Sequence, residues 1–119
     1  MRKLSALALL AALLAVPTAL AKERNMTMTS VDVAPKAGHP WLARIRVVMD
    51  GRPAAGIGPM VRIVSRAGKT IYIASRRTPK AGIFVARIVF PTAGIWRVIA
   101  VDRYSGRSYE FDRVTVRAA

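Results

Sequence analysis

The side chains of this chain that could do chemistry are few, and the softest of them are Met26, Met28 and His39. Thioethers and an imidazole together suit Cu(I), and His39 is the one histidine of the chain. On an extended strand Met26 and Met28 share a face, which serves two ligands and equally serves two core side chains. His39 stands between Gly38 and Pro40, the setting of a loop residue. Acid–base and nucleophilic chemistry finds less to work with. One histidine, no cysteine and 6 scattered carboxylates form no nucleophile with a base and an orienting partner, and no metal-ligand spacing. Asp102, Glu110 and Asp112 come nearest, beside Arg103 and Arg113, and surface cross-strand ion pairs account for them. The chain is therefore expected not to be an enzyme.

The remaining chemistry is charge. There are 20 Lys and Arg against 6 Asp and Glu, a net charge of +14, which favours anionic surfaces such as lipopolysaccharide, phospholipid head groups, nucleic acid or acidic proteins. A solvated basic surface with no partner is the alternative. The densest run is residues 75–82, where Arg76, Arg77 and Lys80 lie among Ser, Thr, Pro79 and Gly82 and predict an exposed loop. Nucleic acid is disfavoured because Phe84, Phe90 and Trp96 are assigned to the core. Trp41, Tyr72, Tyr104, Tyr109 and Phe111 remain as rings for stacking.

The elements that must position these residues begin after a leader. Residues 1–21 start with Arg2 and Lys3, continue as a Leu/Ala-rich run through Pro17 and end Ala19-Leu20-Ala21, the pattern of a bacterial secretory signal peptide. An uncleaved anchor is the alternative. Cleavage would leave residues 22–119 as one periplasmic or secreted domain with 18 basic and 6 acidic residues, a net charge of +12. With no cysteine, that domain must rest on its core alone.

Within it, apolar residues recur at every second position in seven short runs separated by Gly, Pro, Ser or Asp, which predicts strands and no helix. The runs are 26–33, 42–49, 61–66, 70–74, 83–90, 95–102 and 108–116. Met26, Met28, Val31 and Val33 are expected inward in the first, with a register change near Thr29 and Ser30. Ala43, Ile45, Val47 and Met49 point inward in the second, with Arg44 and Arg46 outward. Phe84, Ala86, Ile88 and Phe90 face the core from the fifth, Trp96, Val98 and Ala100 from the sixth, and Val114 and Val116 from the last. Seven strands of this spacing predict an antiparallel immunoglobulin-like sandwich, with a small barrel as the alternative. Its outer faces would carry Arg44, Arg46 and Arg87 on one side and Arg62, Arg66, Arg97 and Arg113 on the other.

The stretch 82–98, with Gly82, Phe84, Ala86, Phe90, Ala93, Gly94, Trp96 and Val98, resembles the "G-aromatic-x-A…F-x-x-A-G-x-W-x-V" segment of YtkA-like domains. Asp50-Gly51-Arg52-Pro53 followed by Val61 is similar to their "D-G-x-P…V". YtkA-like domains are small exported immunoglobulin-like modules related in architecture to FixH-like and CopC-like proteins, and the likeness spans about residues 47–116. It implies an exported accessory module, with copper handling or cytochrome-oxidase assembly as the activity of some relatives. Between Gly58 and Thr78 the chain has only Met60 where copper-binding relatives carry Met and His clusters. The residues themselves point to a non-catalytic module that contacts an envelope protein or an anionic lipid or lipopolysaccharide surface, touching the membrane only peripherally. Arg76, Arg77, Lys80, Arg44, Arg46 and Arg87 are the candidate contacts; Met26, Met28 and His39 are the candidate copper ligands.

Overall fold

The computed structural model describes residues 24–29 and 33–119. The leader expected at 1–21, the register change at Ser30 and the inward Val31 lie outside the described residues. Among the described residues there is no helix, and the strands form two antiparallel sheets.

Sheet one is ordered β1 (Arg24–Met28), β2 (Pro40–Met49), β7 (Ile83–Val89) and β6 (Arg76–Arg77), with β3 (Arg52–Pro53) against the end of β2. Sheet two runs from β5 (Thr70–Ala74) through β4 (Met60–Ser65) to β8 (Gly94–Val101), whose other side takes both β9 (Ser108–Glu110) and β10 (Val114–Val116). Strict alternation builds the interior. Ile45, Val47 and Ile88 from sheet one meet Val61, Ile63 and Val98 from sheet two, all fully buried. Phe90 packs between Trp41 and Trp96 with ring centroids 5.7 and 5.6 Å away, tilted arrangements that aromatic quadrupoles favour. Each indole N–H donates to a carbonyl at 3.0 Å, Trp41 to Val33 and Trp96 to Thr92.

Two-residue chemistry makes the tight turn after β2. Asp50 and Gly51 both take positive φ, 53° and 74°, the backbone that matches strand twist in a two-residue hairpin and that Asp-Gly adopts readily. Val48 then opposes Pro53.

The seven sequence runs each hold a strand, yet the elements among the described residues number ten, and the extra divisions have physical causes. The last run is broken by a bulge. Glu110 opposes Ile99 while Val114 opposes Trp96, so four steps on one side match three on the other and the inward phase shifts. Tyr109 and Phe111 face inward before the bulge and Val114 and Val116 after it, which makes the first two half-buried core neighbours rather than surface rings. The run 75–82, expected as an exposed loop, contains β6: the chain leaves sheet two after β5, and Arg76 pairs with Val85 of sheet one. Ser75 pins the crossing, its backbone N–H and Oγ both donating to the Pro59 carbonyl, the Oγ at 2.6 Å. A Cβ on Gly58 would fall 2.3 Å from Ser75 Oγ and 2.5 Å from the Phe84 ring, so only glycine admits this close approach.

Three further expectations are corrected. Trp41 is buried, because the second strand begins at Pro40 and Trp41 shares the inward phase of Ala43. Val33 is 64% exposed; beyond β1 the chain moves to the edge of sheet two, where Lys36 bridges Arg117 in parallel. Asp102 is buried, 2% exposed, and is no surface ion-pair partner.

Candidate functional site

The outward positions of sheet one bring most of the expected anion contacts together. Arg44 and Arg46 on β2 and Arg87 on β7 alternate with buried neighbours and are exposed. The sheet crossing adds Arg76, which opposes Val85, the residue that also opposes Arg44. Three strands therefore carry one row, Arg44, Val85, Arg76. In the adjoining rows Leu42 opposes Arg87, and Arg46 opposes Ile83. Every arginine thus has an aliphatic neighbour directly across β2 or β7, an arrangement that avoids facing like charges and lets the arginine stems lie along apolar surface. Lys80 comes to the rim of the same face and lines a shallow hollow with Arg44, Arg46 and Thr29. None of β1, β2, β6 and β7 contains an acidic residue.

Arg77 is the exception. It opposes Phe84, whose ring points inward, and its Nε donates to the Gly56 carbonyl at 3.0 Å. It holds the loop before β4 in place.

Sheet two's outer face carries Arg62 and Arg97, and Glu110 stands among them as a surface cross-strand ion-pair partner, as expected. Arg97 grips Glu110 through Nη2–Oε1 at 2.6 Å and Nε–Oε1 at 3.2 Å. The hydrogen bond from Arg97 holds the Glu110 carboxyl below its ordinary value against an opposing desolvation, and the charges of Arg97, Arg113 and Arg62 add smaller effects in the lowering sense. Glu110 conversely raises Arg97. In the row Tyr72, Arg62, Ile99, Glu110, Ile99 is 1% exposed although it points away from the core. Its burial was missed because its phase is opposite to that of Trp96, Val98 and Ala100.

At one end of the sandwich Asp102 closes a polar seam. Its Oδ1 accepts the Tyr104 N–H at 3.0 Å, and its Oδ2 lies 3.6 Å from Arg24 Nε. The Arg24 guanidinium stands 4.7 Å from the Tyr104 ring centre, and the Tyr109 hydroxyl donates to the Arg24 carbonyl. This arrangement joins β1 to sheet two and offers no acid–base pair.

Of the candidate copper ligands, the two methionines share a cleft that His39 does not line. Met26 is buried and Met28 half-buried, both on the inner side of β1 and lining one cleft with Trp41, Phe111 and Val114. Met28 opposes Ile45, whereas exposed His39 stands before the start of β2, its N–H donating to the Lys36 carbonyl. Among the described residues no group of three or more His, Cys, Asp or Glu could hold a metal ion. Compared with known proteins, the chain matches no family model and no curated protein.

The apolar residues Leu42, Val85 and Val89 on the basic face were not foreseen as part of a site. Their signal was present in the alternation, Leu42 in phase with Arg44 and Val89 in phase with Arg87.

Proposed function

We propose that this chain is an exported, non-catalytic accessory module of immunoglobulin-like form that contacts an anionic partner in the cell envelope through the outer face of sheet one. The strand order supports the form. Joining β9 to β10 across their bulge and β5 to β6 across the sheet crossing leaves seven principal strands, with β3 an extension of the hairpin after β2. Edge segments that change sheets near Lys36 and Ser75 suit a sandwich more than a barrel. The leader-like residues 1–21 support export, and the segment 82–98 supports a YtkA-like relationship.

The observation that carries the function is the grouping of Arg46, Arg76 and Arg87 with Arg44 on one face of strands that contain no acidic residue, with Lys80 at its rim. Copper handling has less support, since it would have to use Met26 and Met28 without His39.

The test compares two triple charge reversals with equal net charge. Arg46, Arg76 and Arg87→Glu should abolish retention on immobilised heparin at physiological salt, while Arg66, Arg103 and Arg113→Glu should only lower the salt needed for elution. Equal losses would reduce the binding to net charge and overturn the reading.

A further inference from the structure

We propose, resting on the reading above, that the ligand of this face is the surface of a membrane rich in acidic phospholipids, on which sheet one lies flat. The face is amphipathic as well as basic. Leu42 is 58% and Val89 40% exposed. Val89 opposes Pro40 and Leu42 opposes Arg87, so Pro40, Leu42 and Val89 form an apolar corner beside the arginines. Val85 and Ile83, half-buried, continue the aliphatic component between Arg44, Arg76 and Arg46.

A soluble polyanion would engage the guanidinium groups and leave that corner in water. A lipid surface takes both parts: guanidinium groups fork onto phosphate oxygens, and short aliphatic side chains enter the boundary between head groups and acyl chains. The stems of the arginines span the same two zones. Single-stranded nucleic acid fits worse, because no outward position of β1, β2, β6 or β7 carries an aromatic ring on which a base could stack.

The contributions are separable. Each basic residue near an anionic leaflet strengthens binding about fivefold. Neutralising Arg46, Arg76 and Arg87 to Gln should therefore cost about 100-fold in affinity. Removing the apolar corner should cost about tenfold, from the aliphatic area no longer buried.

The experiment is co-sedimentation of the protein purified from producing cells with vesicles of phosphatidylcholine alone and of phosphatidylcholine with phosphatidylglycerol, run beside heparin binding. Any contribution of residues 1–21 is common to all variants. The expected result is preference for the anionic vesicles, loss of that binding in the Arg→Gln triple, and a tenfold loss in Leu42→Ser, Val89→Ser with heparin binding unchanged. Vesicle binding indifferent to Leu42 and Val89, or heparin binding with none to vesicles, overturns the membrane proposal and leaves a soluble or protein polyanion as the ligand. Heparin and vesicle binding both indifferent to the arginines overturns the underlying reading as well. The altered side chains are exposed, and an unchanged thermal midpoint for each variant separates lost binding from lost folding.

Discussion

The two outer faces of the sandwich both carry arginines, and they differ in what stands between them. On sheet two, Arg97 is clasped to Glu110, and Arg62 shares a row with Glu110 and the buried Ile99. There the arginines work as covering and pairing groups. On sheet one the residues between Arg44, Arg46, Arg76 and Arg87 are aliphatic, and no carboxylate belongs to those strands. The difference teaches that the field of a basic protein depends on where its few acids sit. One glutamate on β9 turns an arginine-bearing face into a partly neutral one.

The comparison breaks most severely if the sheets lose their seam. Asp102→Ala would leave the nine-tenths buried Arg24 side chain without its counter-charge and should lower stability by about 3 kcal/mol, the range seen when one partner of a buried pair is removed. Urea unfolding measures it. A smaller break comes from the crossing between β5 and β6. Gly58→Ala should cost about 2 kcal/mol through overpacking against Ser75 and Phe84. Because that crossing delivers Arg76 to sheet one, the same variant should weaken heparin retention.

Glu110→Gln sharpens the contrast without touching sheet one. It frees Arg97 and should raise the salt needed to elute the protein from heparin, making the two faces more alike. The smallest effect is one of pH. Glu110 is held low in the folded protein, so its contribution to stability is present above the ordinary glutamate value of 4.5 and is lost as pH falls through its lowered one. The unfolding midpoints of the unaltered protein and Glu110→Gln should differ slightly at neutral pH and converge in acid.

Much of the fold was legible because strand alternation is local. Ala43, Ile45 and Val47 announce their side of β2, and Phe84, Ala86, Ile88 and Phe90 announce theirs on β7 and just beyond it. What escaped depended on pairing between distant segments. The bulge after β9 appears as a phase change between Phe111 and Val114, but only the ladder with β8 shows that a residue has been inserted. The basic segment 75–82 has loop composition throughout, and its two-residue strand exists because the chain must pass from one sheet to the other. The arginines of the site were legible one by one. Their grouping was not, since the row Arg44, Val85, Arg76 joins three strands separated by loops of the sequence.

The seam at Arg24 bears on the order in which the protein can be made. The Tyr109 hydroxyl reaches the Arg24 carbonyl across 85 positions, and the Arg117 amide and carbonyl pair with Pro35 and Ala37. Contacts of such long sequence separation form slowly, because loop closure precedes any gain from them. A chain emerging amino end first therefore cannot finish this sandwich until its last few residues are free.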